Sequence, residues 1–402
     1  MSATTQAFNR RGFLQGILGG SAFVLCVRFA PEAVWAAVPA DLGKVDSATL
    51  HPNVYLGIEP DGTVWIIAHR SEMGTGSRTS LPMILADELE ADWKRVRLEQ
   101  ALGNEKKYGD QNTDGSHSVR SFWDVMRQSG ASARMMLTQA AANRWNVPVA
   151  ECTANLHTVV HKPTGRKLGY GALAADAAKL PVPKKEDLQL KSRSQWRYIG
   201  KGTPAYDIQN ICTGKAGYGM DARIDGMVYA SIEHPPVLGG KLVSYDDSEA
   251  LKVRGVQKTV TIDPYTPPWG FQPLGGVAVV ADNTWSAFQG RDKLKINWDD
   301  GPNAGYTSAG YRKELVEISH KPGKVMRNEG DVDKAFASGA KTFEADYYLP
   351  HLAHAAMEPI VALADFKDDK VEILAPTQNP QGAVDTVAKI LGKPCRVSSA
   401  FG

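Results

Sequence analysis

Residues 71–79 read Ser-Glu-Met-Gly-Thr-Gly-Ser-Arg-Thr, and this turn constrains the chain more than any other stretch. Two glycines flank one small residue, so the backbone can take left-handed angles and approach a bulky group closely. Before it, strand runs at 54–58 and 63–67 bracket Pro60-Asp61-Gly62, a strong hairpin signal. After it, Leu81, Ile84, Leu85 and Leu89 fall at helical spacing, which predicts a helix capped by Thr79 or Ser80 with Pro82 in its first turn. Such a junction offers backbone N–H groups to something bulky and anionic. No side chain in it is a nucleophile with a nearby base, so it reads as a grip on a ligand.

The rest of the chain bounds what that ligand can be. With 402 residues there is room for two or three domains. Lys+Arg 46 against Asp+Glu 44 is nearly balanced and no basic block stands out, which argues against nucleic acid as a partner. Cys26, Cys152, Cys212 and Cys395 form no C-x-x-C pair, so an iron–sulfur or structural zinc site on this chain's cysteines is disfavoured. At the N-terminus, Asn9-Arg10-Arg11-Gly12-Phe13-Leu14 leads into a mild apolar run at 16–27, with small-residue cleavage signals at 34–36 and 38–40. Paired arginines ahead of such a run predict a twin-arginine export signal over 1–40 and a periplasmic address.

A second small-residue turn, Asp114-Gly115-Ser116-His117-Ser118, opens a helical pattern that runs to Trp145, with a kink predicted at Gly130. Pro- and Lys-rich residues at 180–201 predict a linker. Strand runs at 228–233, 257–262, 277–280 and 293–298, with a short helix at 284–288, predict a sheet-dominated module. Helices at 311–318, 332–337 and 383–391 and strands at 342–348, 371–375 and 395–397 complete an α+β reading.

Several motifs have plain alternatives. Gly214-Lys215-Ala216-Gly217-Tyr218-Gly219 has dinucleotide-like glycines but lacks the strand–helix context, and reads as a turn. No G-x-S-x-G elbow is present. His351, His354 and Glu358 have a spacing that could suggest a metal site, but Pro350 and Pro359 bracket them and zincin order is missing, so the two histidines read as packing or pocket lining. Glu358, in an otherwise apolar stretch, is either structurally paired or placed for work. Gln378 ends a strand in a proline-bounded turn, either as a ligand amide or as a local backbone partner.

Taken in order, these segments resemble the molybdopterin-binding large subunit of the xanthine dehydrogenase/aldehyde oxidase family. The type is similar to isoquinoline 1-oxidoreductase beta subunits and acetic-acid-bacterial aldehyde dehydrogenases. The residues that carry the resemblance are Glu72-Met73-Gly74-Thr75-Gly76 with Leu85-Ala86-Asp87-Glu88-Leu89, Gly115-Ser116-His117-Ser118-Val119-Arg120 with Gly130-Ala131, Lys215 to Asp221, Met357-Glu358-Pro359, Thr377-Gln378 and the final Phe401-Gly402. It implies an N-terminal molybdopterin-binding-like domain with a linker at 45–200. An α/β hammerhead domain would follow at 208–303, and the start of the main cofactor domain at 304–402.

The resemblance also implies molybdopterin, in the cytosine dinucleotide form, gripped by Gly74, Thr75, Gly76, Ser116, Ser118, Gln378, Phe401 and Gly402, with molybdenum held through the pterin. It further implies oxidation of an N-heterocycle or aldehyde with water as oxygen source, a [2Fe-2S] cluster on a separate small subunit, and in some systems a cytochrome c. Thr75 stands where the family commonly has glutamine, and His117 where it has arginine. The family's base glutamate has no counterpart before Gly402, so the chain is expected to be a C-terminally truncated or split subunit. A non-catalytic exported binding or assembly protein is the second reading.

Overall fold

The computed structural model describes residues 23–24, 55–266, 273–339 and 341–399. Its contacts group into two compact units, one running through 222 and resuming at 356, the other spanning 223–355. Residues 356–399 group with the first unit and not with their sequence neighbours before 356. Among the described residues no helix is long and apolar enough to cross a membrane.

The first unit is built on two β-α-β crossovers. In one, β1 (Phe23–Val24), β2 (Leu56–Ile58), β3 (Val64–Ala68) and β4 (Val96–Gln100) form a sheet in that order. Strands β3 and β4 are parallel, joined by helix α1 (Ser77–Leu89). Val64, Ile66 and Ala68 alternate into the core, as a half-buried strand requires. Apart from Phe23–Val24, the export signal falls outside the described residues, including the arginine pair at 10–11 and the cleavage signals.

Helix α1 starts at Ser77, ahead of the expected caps, and Pro82 lies inside it. Thr79 and Ser80 are drawn elsewhere: the Thr79 hydroxyl accepts from the Tyr206 N–H at 2.9 Å, and the Ser80 hydroxyl donates to the Gly76 carbonyl at 2.6 Å. Helix α2 (Ser118–Trp145) runs unbroken through Gly130, where the sequence predicts a kink. That glycine is a contact point instead. A Cβ there would overlap the Leu85 carbonyl and the Glu88 side chain of α1, so its lack of a side chain lets the two helices approach. A small meander, β5 (Cys152–Asn155), β6 (Thr158–His161) and β7 (Lys167–Gly169), leads to α3 (Tyr170–Ala177), whose buried Tyr170 hydroxyl donates to the Leu89 carbonyl at 2.6 Å.

The predicted linker is a fastened strap. Asp87, fully buried at the end of α1, accepts the N–H groups of Arg197, Tyr198 and Ile199 at 2.9, 2.7 and 3.0 Å. Its other carboxylate oxygen holds the Lys191 ammonium at 2.5 Å. Glu88 receives Arg127 at 2.7 Å and the Lys191 N–H at 3.0 Å. Proline and lysine composition suggested solvent; buried carboxylates on α1 override it, because a buried charge must find partners.

The second unit carries sheet β8 (Tyr229–Glu233), β10 (Val256–Ile262) and β11 (Gly276–Ala281), in antiparallel order β10-β11-β8. A separate antiparallel pair joins β9 (Lys241–Asp246) to β12 (Lys295–Asp299). Strand β9, absent from the sequence reading, has no buried position that would have marked it. Helices α4 (Thr284–Arg291), α5 (Ser308–Ser319) and α6 (Val332–Ser338) follow expectation. The strand predicted at 342–348 is not formed: no strand among the described residues pairs with it, and Phe343 and Tyr347 are 94% and 93% exposed.

In the second crossover of the first unit, β13 (Leu363–Phe366) pairs antiparallel with β14 (Val371–Ala375). Helix α7 (Pro380–Leu391) then returns the chain to β15 (Cys395–Ser399), parallel to β14.

Candidate ligand site at the ends of two crossovers

In β-α-β units, ligands are met outside the carboxyl ends of the parallel strands. Here two such ends converge. The glycine-rich turn leaves β3, the Pro376–Asn379 turn leaves β14, and Ser71 lies at the joint. Its hydroxyl is 3.0 Å from that of Ser399, at the end of β15, and Ser399 in turn donates to the Thr377 carbonyl at 3.2 Å. The Ser71 carbonyl accepts from the Ser77 hydroxyl at 3.0 Å and from the Thr113 hydroxyl at 2.9 Å. Thr113 also donates its backbone N–H to the Gln378 carbonyl at 2.9 Å. Strand β4's extension adds the Leu102–Ser398 bridge and a bond from the Gly103 N–H to the Val397 carbonyl at 3.0 Å.

Gly74 and Gly76 take φ of +88° and +78°, the left-handed region that glycine enters without strain. Nothing lies within 4 Å of where a Cβ would stand at either position, so the turn is an open cradle. Met73, Gly74 and Thr75 are exposed. The helix end behind them already carries an anion, however. Glu72 folds back so that its carboxylate accepts the Gly76 N–H at 3.0 Å and the Arg78 N–H at 3.1 Å. The anion read into this turn from sequence is therefore met by the chain's own side chain.

The 110–118 turn is organised by a buried arginine. Arg70 is fully buried and reaches Asp110 at 3.0 Å, the Asp110 carbonyl at 2.7 Å and the Ser118 hydroxyl at 3.0 Å. Partial burial pushes the Asp110 carboxyl up, but the Asn112 N–H and the Arg70 guanidinium outweigh it and hold the group below its ordinary value. His117 pairs with Asp114 at 2.6 Å and lies 3.4 Å from Arg70. Ser116, at φ +54°, is exposed. Ser118 is thus a structural partner of Arg70, while Ser116 is free of such ties among the described residues.

Gln378 is exposed; its carbonyl is committed to Thr113, and its side chain makes no hydrogen bond among the described residues. Glu358 accepts the Met220 N–H at 2.7 Å through Oε1, while its Oε2 is buried without a hydrogen-bond partner. It fastens the Gly219 turn, where a Cβ would stand 3.5 Å from that carboxylate and 3.0 Å from Val361. Phe401 and Gly402 lie outside the described residues. Among the described residues no cluster of His, Cys, Asp or Glu could hold a metal ion. His351 stacks on Tyr306 and hydrogen-bonds its hydroxyl at 3.0 Å. Sequence reasoning missed Ser71, Thr113, Arg70 and Ser399. Only Arg70, a charge two residues past the end of the apolar strand β3, left a trace.

Family models of molybdopterin cofactor-binding domains match residues 33–216 and 318–397. The membrane-bound aldehyde dehydrogenase (pyrroloquinoline-quinone) of Gluconacetobacter polyoxogenes is 32% identical over 395 residues, covering 96% of this chain and 50% of that protein. The beta subunit of isoquinoline 1-oxidoreductase from Brevundimonas diminuta is 30% identical over 442 residues, 96% of this chain and 54% of that protein. A nicotinate dehydrogenase subunit of Pseudomonas putida is 26% identical over 337 residues, 81% of this chain and 27% of that protein. The chain therefore spans about half the length of the first two relatives. By the domains it carries and the relatives it matches, the chain belongs to the molybdopterin-binding subunits of the xanthine dehydrogenase family, a family of molybdopterin-dependent oxidoreductases.

Proposed function

We propose that this chain forms one wall of a molybdopterin pocket in the large subunit of a molybdenum hydroxylase that oxidises an aldehyde or an N-heterocycle. The observation that carries the reading is the convergence of the Gly74–Gly76 turn and the Gln378 turn, clipped together through Ser71 and Thr113. The residues fit such a group: an open glycine cradle with nothing within 4 Å of its absent side chains, and an exposed amide at Gln378. Gly74, Thr75, Gly76 and Gln378 would hold the cofactor, with Ser116 at the rim of the neighbouring turn. The bound cofactor would supply the redox chemistry and the oxygen transfer from water. What these residues supply is position. The exposed arch of the turn and the Gln378 side-chain amide would orient the ligand.

The finer elements of the proposal are the cytosine dinucleotide form, an electron-accepting [2Fe-2S] subunit, a cytochrome c beyond it, and twin-arginine export to the periplasm. The hammerhead domain would be residues 208–303, most of which lie in the second compact unit. Names of relatives support the substrate class: one is named for an aldehyde, two for N-heterocycles. The G. polyoxogenes relative is also named for pyrroloquinoline quinone, so the cofactor must be identified directly.

The test is to purify the protein with its co-purifying partners from its native host and measure molybdenum per chain, released nucleotide and quinone. Stoichiometric molybdenum with released CMP is expected. A preparation with quinone and no molybdenum, or with neither, would overturn the proposal, the latter leaving the non-catalytic reading.

A further inference from the structure

We infer that Glu72 is a built-in anion that holds the glycine-rich turn in its open shape. The helix behind the turn is 13 residues long, and its N-cap residue Gly76 has no side chain with which to cap it. The first amides of a helix carry partial positive charge and need acceptors. Glu72 supplies both oxygens at once: one to the Gly76 N–H at 3.0 Å and the other to the Arg78 N–H at 3.1 Å. The Arg78 guanidinium pairs with Asp207 at 3.0 Å, and the Asp207 carboxylate lies within electrostatic range of Glu72. Both oxygens of Glu72 are engaged by backbone N–H groups of the helix end.

The bonds also explain the turn's shape. A single side chain spans from residue 72 to residues 76 and 78, and the Ser77 hydroxyl closes the neck on the Ser71 carbonyl at 3.0 Å. Met73, Gly74 and Thr75 are left as a short arch held at both ends and exposed at its crown. Glu72 sits where a phosphate would sit in an anion-binding loop. A ligand of this turn therefore meets the arch of Gly74 and Thr75, and a phosphate group is not taken at this helix end. Glu72 is a positioning residue. The ligand's identity rests on the proposed function, whereas the role of Glu72 in shaping the turn does not.

The experiment uses the full chain without molybdenum, so failure of the cofactor reading would not affect it. Thermal midpoints are compared in sodium sulfate and in sodium chloride at matched ionic strength for wild type, Glu72→Ala, Glu72→Gln and the control Met73→Ala. In chloride Glu72→Ala is expected to lose about 2–4 °C. In sulfate it is expected to recover most of that loss saturably, beyond the general stabilisation by sulfate seen in wild type and control. Glu72→Gln, which keeps one acceptor oxygen, should fall between and likewise respond to sulfate; it carries the test should the alanine variant fail to fold. An unchanged midpoint in both variants, a loss that sulfate does not restore, or a wild-type sulfate response equal to that of Glu72→Ala would each overturn the inference.

Discussion

The hydroxyl of Thr113 donates to the carbonyl of Ser71 at 2.9 Å, both residues being buried. Its own N–H reaches the Gln378 carbonyl, so one residue ties together the two turns that form the candidate site.

Replacing Thr113 with valine keeps the volume and the backbone bond and removes only the hydroxyl. The Ser71 carbonyl retains the Ser77 hydroxyl, so the cost is that of one buried hydrogen bond, about 1 kcal/mol. Thr113→Ser should cost less than the valine variant. Urea unfolding midpoints measure both, and an unchanged midpoint for Thr113→Val would show that the clip contributes nothing.

The strap at 188–199 yields a larger effect. Lys191 is buried between Asp87 at 2.5 Å and Glu90 at 2.6 Å. Lys191→Met leaves Asp87 buried with its backbone donors alone, and the expected loss is about 3–5 kcal/mol. Acid should loosen the same strap. Burial raises the Glu90 carboxyl, yet its bonds from Lys191 and Arg197 outweigh this and hold it below the ordinary 4.5. A carboxyl depressed on folding contributes fully above its unfolded value and loses that contribution as pH falls through its folded one. Protease cleavage within 188–199 should therefore rise in Lys191→Met at neutral pH, and in wild type only once the pH drops below the ordinary carboxylate range. Equal cleavage of the two proteins at neutral pH would dismiss the anchor.

These two anchors mark where sequence reasoning reached and where it stopped. The hairpin, α1, α2 and the separate elements β14, α7 and β15 were legible because their apolar spacing and turn residues agree with the final packing. Gly74 and Gly76 were legible because left-handed backbone leaves a glycine signature. The strap was misread because the carboxylates that hold it lie about a hundred residues earlier, and composition carries no record of that pairing. Glu72 was visible in its motif, but only geometry reveals that it satisfies the helix end the motif leaves open. Ser71, Thr113 and Ser399 are small polar residues without pattern, brought together by topology alone.

Gly74 gives a prediction on the ligand itself. A valine there has nothing within 4 Å to strike, but it must adopt φ of +88°, which costs a β-branched residue about 1–2 kcal/mol. Gly74→Val should thus fold with modestly reduced stability and yet lose molybdenum from the purified assembly, since its side chain fills the cradle. Gly74→Ala should retain part of the metal. Full molybdenum content in the valine variant would remove Gly74 from the site.

His69 ties the site's foundation to pH. It is fully buried, with both ring nitrogens lacking a hydrogen-bond partner among the described residues. Its ring packs 5.0 Å from Tyr55 and 4.2 Å from Phe122, centroid to centroid. Burial first, and the neighbouring Arg70 charge second, push its pKa from 6.5 down to about 3. Above 6.5 the imidazole is neutral in both states and costs nothing in proton balance. As pH falls from there toward 3, the unfolded chain binds a proton that the folded chain refuses, so stability drops by about 1.4 kcal/mol per unit. His157, also depressed by burial, adds to the wild-type slope in the same direction. His69→Phe places an apolar ring between Tyr55 and Phe122, removes two unpartnered nitrogens, and should cancel one proton's share of that slope. Urea midpoints measured between about pH 7 and pH 4.5 should therefore show the variant gaining on wild type by about 2–3 kcal/mol over the range. A constant difference across those pH values would mean that His69 titrates normally in the folded protein, and that the base of the glycine-rich turn is open to water.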